Sequence, residues 1–346
     1  MEPSSSTEPT SAHLPEQLPP VKPPSASFLM QLFVIPLVIV TIIVVACMLV
    51  NWLAHRTTDP RELVQSLQAE HLGSWQKALD VANMLSSTST ESEKLRQSPE
   101  LATAIADILD KEIKEGGLED GDVKRRQYLC LALSAFQVPE GIPTLLKAAE
   151  TNNDFAEVGV RIAAIFALTR RIENGSLDLH AGQTKNALVD ALVDAARQQG
   201  GNQKKEALVS ELRYTAAYSL GVVGGEEALT QLAAMLNDPV AVVRYNAAVG
   251  LARQGDPRAV PLLVEMLNPK QTIEKVDGKQ LDEMGQANVI RIALSAVMEY
   301  WQYEGTAGRE PLRQAVQELE NADVSTVMKN GYDAELTAAA KAIKPS

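Results

Sequence analysis

Histidine and cysteine side chains are the first candidates for metal or nucleophilic chemistry, and this chain has few of them. The four histidines are scattered along the sequence, at His13, His55, His71 and His180. None is followed directly by a glutamate, so the sequence contains no His-Glu pair that could bind a metal ion. Cys47 falls in a long apolar run, and Cys130 falls on the apolar stripe of a predicted helix, where a free cysteine behaves as a small core residue. The sequence therefore predicts a protein that is not an enzyme, with no catalytic residue, metal site or cofactor.

Arginine is the residue type whose spacing repeats. A leucine follows seven residues after each of four arginines, and a methionine takes that place after the fifth: Arg126, Arg161, Arg213, Arg244 and Arg291. These side chains would either line a groove that binds an anion or make the same stacking contact in every unit of a repeat. Because a stacking contact must recur in each unit, the recurrence favours the structural interpretation.

Two polar insertions interrupt the repeat spacing, at 173–185 and 268–288. Long loops in a compact array are where binding is often found. The second insertion carries the candidate partner-binding residues Lys275, Asp277 and Lys279, and we expect both insertions to project from the same edge. The aromatic group Tyr300, Trp301 and Tyr303 would either form a binding patch or cover the last repeat, and the need to cap a terminal repeat favours the cover.

An uncharged, apolar segment of 27 residues, 28–54, precedes the region that carries these residues. About 20 apolar residues span a bilayer as a helix, so this segment is predicted to be a single transmembrane helix. Residues 1–27, rich in proline and serine, are predicted to be a disordered tail. A cleaved signal peptide is disfavoured by the long apolar core and the tail before it. A lipoprotein motif at Cys47 is disfavoured by the apolar residues that follow it.

The basic residues that flank this segment predict its orientation. Arg56 and Arg61 follow it, whereas Lys22 is the single lysine or arginine before it. The positive-inside rule therefore places the C-terminal region in the cytoplasm and the tail outside. The lack of a cysteine framework fits a reducing compartment.

Residues 55–346 are predicted to form stacked helical hairpins. Residues 123–146 and 241–264 align without gaps, with the arginine, the leucine and two prolines at matching places. In the second segment an Asp-Pro pair opens a helix at Asp238, and Gly255-Asp256-Pro257 ends that helix and opens another. Each hairpin has one apolar side only and needs neighbours to cover it, so we expect six or seven such hairpins.

This pattern resembles HEAT repeats, in particular the short bacterial variety similar to the phycobilisome-lyase HEAT-like repeat. The resemblance is strongest over 207–268 and extends to 123–170 and 290–300. It implies an all-α fold, an α-solenoid of HEAT-like hairpins, here preceded by one transmembrane helix. It also implies a ladder in which each repeated arginine pairs with an aspartate between helices, for which Asp238 and Asp256 are the candidates.

Composition narrows the function further. Residues 55–346 carry 31 basic and 41 acidic side chains, which disfavours nucleic acid as a ligand and favours a protein partner with a basic patch. We therefore predict a membrane-anchored, non-catalytic scaffold that binds another protein on an α-solenoid surface. A bilin-lyase-like enzyme or chaperone, and a purely structural membrane-associated protein, are the alternatives.

Overall fold

The computed structural model of the chain describes residues 25–54, 60–68, 74–150, 154–179, 182–275, 278–303, 305 and 307–343. They belong to two compact units that divide between Thr57 and Thr58. Within the described residues the secondary structure is helical, apart from one β-bridge between Glu274 and Gln280. The predicted all-α fold is therefore confirmed.

Helix α1, Ala26–Ala54, is the helix of the first unit. Its stretch Met30–Leu49 is 20 residues long, and none of those residues is buried. The hydroxyl of Thr41 donates to the carbonyl oxygen of Leu37 at 2.8 Å, so this polar group is satisfied within the helix. One helix near the N-terminus is thus long and apolar enough to span a membrane, at the place where the sequence predicts one. Residues 1–24 of the predicted tail lie outside the described residues.

The second unit contains sixteen helices among its described residues. Their bounds are α2 Pro60–Gln68, α3 Ser74–Ser86, α4 Thr90–Arg96, α5 Pro99–Glu115, α6 Asp120–Ser134, α7 Ile142–Glu150, α8 Val158–Glu173, α9 Gly182–Arg197, α10 Gln203–Val223, α11 Glu226–Met235, α12 Ala241–Arg253, α13 Val260–Met266, α14 Glu283–Trp301, α15 Arg309–Glu320, α16 Thr326–Asn330 and α17 Asp333–Ala342. Single turns of 3-10 helix at Phe155–Glu157 and Pro257–Ala259 lead into α8 and α13.

These helices form two layers of a solenoid. The first layer contains α2, α5, α7, α9, α11, α13 and α15, and the second layer contains α3, α6, α8, α10, α12, α14 and α17. Most neighbours within a layer pack on each other, and each first-layer helix packs on the second-layer helix of its own hairpin. The described residues therefore form seven stacked hairpins, within the expected number, while α4 and α16 pack beside α3 and α14.

Local sequence explains where the helices begin and end. Helix α5 begins after Ser98, whose hydroxyl accepts a hydrogen bond from the Leu101 amide at 3.2 Å, and Pro99 occupies its first turn. It ends at Gly116, whose φ of 65° is the left-handed conformation that glycine adopts without a steric penalty. Small residues then let the second-layer helices approach closely, as at Ala216, Ala217 and Ala247, which are fully buried.

The chain order fixes two edges of the array. Loops from a first-layer helix into a second-layer helix lie along one edge, called the ladder edge, and the loops that lead back lie along the other, called the return edge. Insertion 173–185 follows α8 and lies at the return edge. Insertion 268–288 precedes and enters α14 and lies at the ladder edge. The expectation that the two share an edge is therefore wrong, because one follows a second-layer helix and the other follows a first-layer helix.

Candidate functional site

The repeated arginines line the ladder edge, where the first two make the same pair of contacts. Arg126 donates to the carbonyl oxygen of Gly117 at 2.7 Å in its own hairpin and pairs with Glu157 just before α8. Arg161 donates to the carbonyl oxygen of Ala149 at 3.0 Å and lies 2.8 Å from a carboxylate oxygen of Asp194 on α9. Each guanidinium thus joins backbone at or just after the end of the first-layer helix of its own hairpin to an acid of the next hairpin.

Arg213 is the most fully paired of the five. Its Nε and Nη2 lie 2.8 and 3.1 Å from the two carboxylate oxygens of Asp238, and Nη2 also donates to Glu206 at 2.6 Å. Its Nη1 donates to the carbonyl oxygen of Gln198 at 3.1 Å. Asp238 in turn accepts from the amide of Val240 at 2.8 Å, so the carboxylate that holds the arginine also forms the turn that leads into α12.

The last two arginines depart from this arrangement. Arg244 donates to the carbonyl oxygens of Asp238 and Pro239, and among the described residues no acid pairs with it. Arg291 bonds Asn288 at 2.6 Å and lies 3.9 Å from Glu335 on α17.

Asp256, expected as a ladder partner, does not lie with the ladder arginines. It sits at the return edge between α12 and α13, whereas the arginines lie at the ladder edge. Its carboxylate accepts from the backbone amide of Arg258 at 2.9 Å and pairs with the side chain of the same residue. The side-chain hydrogen bond from Arg258 lowers the pKa of Asp256. Asp256 is therefore the cap of a 3-10 turn that leads into α13.

The return edge has a second set of contacts that the sequence analysis missed. Arg171 is fully buried and donates to the carbonyl oxygens of Val138 and Glu140, which follow α6. Burial lowers the pKa of its guanidinium to about 10. Gln254 donates to the carbonyl oxygen of Gly221 at 2.7 Å, and Tyr303 donates to that of Arg253 at 2.7 Å. Because arginine, glutamine and tyrosine each donate to a backbone carbonyl oxygen here, no single residue type recurs in the sequence to indicate these contacts.

Two of the ladder acids, Glu157 and Asp194, were missed for a related reason, whereas Asp238 was among the candidates. Glu157 lies four residues before Arg161, and Asp238 lies six residues before Arg244, so an acid just before a second-layer helix is a usable signal. Asp194 breaks this rule because it lies on the first-layer helix α9, nineteen residues before Arg213.

Catalytic chemistry gains no support from the described part of the chain. No group of three or more histidine, cysteine or acidic side chains comes together there. All four histidines lie outside the described residues. Cys130 is fully buried on α6, and burial raises the pKa of its thiol to about 12. A buried thiol of this kind is unreactive at neutral pH.

The aromatic group lies at the junction of α14 and α15. Tyr300 is fully buried, and its hydroxyl donates to the carbonyl oxygen of Ala307 at 2.5 Å. The guanidinium groups of Arg309 and Arg313 lie 4.8 and 5.5 Å from the centre of the Trp301 ring. These contacts attach the last hairpin to the array, which is the covering role that the sequence analysis favoured.

Two apolar depressions open on the second layer. The first, called the second-layer groove, crosses α6, α8 and α10 and has a volume of about 520 Å³. Its lining includes Tyr128, Leu131, Ile162, Phe166 and Tyr214. Phe166 is 48% exposed, although phenylalanine is a residue that folded proteins usually bury.

The second depression, called the α12–α14 pocket, has a volume of about 320 Å³. The insertion before α14 forms one of its walls, including Ile273 and Lys275. Of the predicted partner-binding residues, Lys275 therefore lines this pocket. Lys279 is exposed nearby on the same insertion, with its carbonyl oxygen 2.7 Å from the Lys275 amide. Asp277 lies outside the described residues.

One comparison, with family models, agrees with the repeat architecture. Residues 205–274 match the family model for HEAT repeats. No curated protein sequence gives a match. Among solved structures, human deoxyhypusine hydroxylase in complex with glycerol is 18% identical over 85% of this chain and 96% of its own, with a TM-score of 0.31. The Escherichia coli protein YibA is 14% identical over 82% of this chain and 98% of its own, also with a TM-score of 0.31. The match to HEAT repeats thus covers α11, α12, α13 and nearly all of α10, within a longer array of helical hairpins.

Proposed function

We propose that this chain is a membrane-anchored, non-catalytic scaffold that binds a partner protein in the second-layer groove. The observation that carries the proposal is the exposed ring of Phe166 in a groove flanked by two tyrosines, Tyr128 and Tyr214. Protein interfaces depend on a few large anchor residues, among which aromatic side chains are enriched, surrounded by contacts that exclude water.

Charge and anchoring support the same proposal. The excess of acidic over basic side chains after the apolar helix favours a partner whose surface around the contact is basic. Helix α1 would anchor the scaffold as a single span, with the array in the cytoplasm, and so raise the local concentration of the binding surface at the membrane. The bacterial lyase-type character of the repeats stays a prediction.

Site-specific photocrosslinking in intact cells tests this proposal. A photoreactive residue at position 166 is expected to give one discrete adduct with a partner protein. Leu118 is the matched control, because it is similarly exposed, at 52%, and lies in the loop before α6 rather than in the groove.

A second measurement uses the partner identified by that adduct. Phe166→Ser is expected to weaken binding about thirtyfold, the effect of removing an interface anchor worth about 2 kcal/mol, whereas Leu118→Ser should leave it unchanged. The proposal is wrong if positions 166 and 118 give the same adducts, or if position 166 gives none.

A further inference from the structure

The α12–α14 pocket is a separate site whose walls are aliphatic. Side chains from α12, α14 and the insertion surround it, including Val242, Val249, Ile273, Leu281 and Val289, and Met266 of α13 completes the lining. The neighbouring junction of α10 and α12 has no such gap, because a Cβ on Gly221 would lie 2.4 Å from the Cα of Gly250. Between α12 and α14 the gap stays open.

Polar contacts hold the insertion in place beside this gap. The side-chain amide of Gln286 donates to the carbonyl oxygens of Pro269 and Gln271 at 2.7 and 2.6 Å. The amide of Leu281 donates to the carbonyl oxygen of Ile273 at 2.8 Å, so a backbone hydrogen bond joins these two residues of the pocket wall. A wall fixed in this way is a mark of a pre-formed binding site.

The size and polarity of the pocket define what fits it. A cavity of about 150 Å³ holds benzene, so a pocket about twice that size suits a molecule of roughly twelve non-hydrogen atoms. Its charged lining residues, Glu274 and Lys275, have opposite signs and leave no net charge to attract an ion. Asn246 also lines the pocket; its amide nitrogen donates to the carbonyl oxygen of Val242 at 2.8 Å, which leaves its side-chain oxygen to accept a hydrogen bond.

We propose that the α12–α14 pocket binds one compact, uncharged and mainly hydrocarbon molecule that carries a hydroxyl group. The hydrocarbon part lies against the valine, isoleucine and leucine walls, and the hydroxyl donates to Asn246. A partner protein is disfavoured as the occupant, because the volume suits a small molecule and the charges around it are mixed. This site is independent of the second-layer groove and does not rest on the proposed scaffold function.

Methyl NMR on the full chain in lipid nanodiscs tests this proposal, with 2-naphthol as the probe. Met266 lines the pocket and Met235 does not, so their labelled methyl groups report binding and provide an internal reference. We expect 2-naphthol to shift the Met266 signal with a saturable curve and to leave Met235 unchanged. The matched anion 2-naphthoate should bind at least about tenfold more weakly, because no unopposed cation compensates for its desolvation.

Variants make the test specific to the pocket. Val289→Phe should fill the space and abolish the saturable shift. Ile292→Glu, at an exposed position of the lining, should weaken 2-naphthol binding about tenfold without requiring any change in the core. Val327→Glu, at an exposed position of α16 outside the pocket, is the control and should bind as the native chain does.

Three results would overturn the proposal. They are a Met266 shift that does not saturate, equal binding of the phenol and the carboxylate, and native binding by the Ile292→Glu variant. If neither probe binds while a photoreactive residue at position 292 captures a protein in cells, the pocket is an anchor site for a partner instead.

Discussion

At the scale of single residues, the ladder arginines show how a buried charge is tolerated in this array. Arg213 is almost fully buried, and its guanidinium has partners on three sides: Asp238, Glu206 and the carbonyl oxygen of Gln198. Burial of a charge is unfavourable unless ionic and hydrogen-bonding partners replace water. Asp238 comes from the loop of the next hairpin. The pairing of Arg213 with this carboxylate therefore also fixes how the two neighbouring hairpins stack.

Removal of Arg213 should therefore be costly. Arg213→Ala leaves Asp238 and Glu206 without their cation, and we expect a loss of about 3–5 kcal/mol in the free energy of unfolding. Arg244→Ala is the matched control, because Arg244 is only half-buried and bonds backbone carbonyls, so its loss should be about 1 kcal/mol. Urea unfolding of the full chain in detergent, followed by circular dichroism, measures both. Equal losses would contradict the ladder's role in stacking.

The cap at Asp256 predicts a dependence on pH. The hydrogen bond from Arg258 lowers the pKa of Asp256 in the folded chain, so the carboxylate stabilises the fold above its unfolded pKa of about 4 and stops doing so as the pH falls through the folded value. Asp256→Asn keeps a capping oxygen but loses the charge. We expect it to lower the free energy of unfolding by about 0.5–1 kcal/mol at pH 7, and the difference from the native chain should shrink as the pH falls from 7 to below about 4. A difference that stays constant between these pH values would contradict this account.

The role of a residue could be predicted from the sequence where the same residue type recurs in successive repeats. The five arginines were found because arginine recurs seven residues before a leucine, or before a methionine in the case of Arg291. Their acids were not found, apart from Asp238, because Glu157 and Asp194 come from different elements and differ in type. The contacts of Arg171 depend on carbonyl oxygens that any residue supplies, so only the three-dimensional structure shows them.

At the scale of helices, the junction of α10 and α12 depends on two glycines. A Cβ on Gly221 would lie 2.4 Å from the Cα of Gly250, and a Cβ on Gly250 would lie 3.1 Å from a methyl carbon of Leu232. The obstacle at Gly221 is backbone, which moves only if the whole helix moves. This contact brings the two central helices of the matched repeats together.

Gly221→Ala should therefore destabilise the array although alanine favours helix. Overpacking in a core costs about 1–3 kcal/mol, more than the gain of up to about 1 kcal/mol from replacing glycine in a helix. Gly182→Ala is the matched control, because Gly182 begins α9 with no atom within 4 Å of its Cβ position, and it should be neutral or slightly stabilising. The midpoint of thermal unfolding in detergent compares them. If the two variants melt alike, α10 and α12 do not pack through these glycines.

The helices themselves were well predicted from the sequence, but the edge of the array on which each insertion lies was not. The Asp-Pro pair at Asp238 lies in the loop between α11 and α12, and the Gly-Asp-Pro break at Gly255 lies between α12 and α13. Those signals act locally, through capping and backbone conformation. The edge on which an insertion lies depends instead on which layer the preceding helix belongs to, and assigning α8 and α13 to layers requires the packing of the whole array.

At the scale of the whole chain, the proposed cytoplasmic location rests on the charges that flank α1. Lys22 precedes the apolar segment, and Arg56 and Arg61 follow it. Lysine and arginine close to a transmembrane helix are retained on the cytoplasmic side, so the array should face the cytoplasm. The native cysteines suit a labelling experiment, because Cys130 is buried with a raised pKa of about 12 and Cys47 lies within the apolar helix.

Labelling of an introduced cysteine would establish the orientation. Lys204 is exposed on the first turn of α10, so Lys204→Cys should react with a membrane-impermeant maleimide only after the cells are made permeable. Ser11→Cys in the N-terminal tail should show the opposite pattern and react in intact cells. If Lys204→Cys reacts in intact cells, the array faces outward, and a partner must then be sought on that side of the membrane. If Ser11→Cys is missing from the mature chain, the apolar segment is a cleaved signal sequence and the scaffold has no anchor.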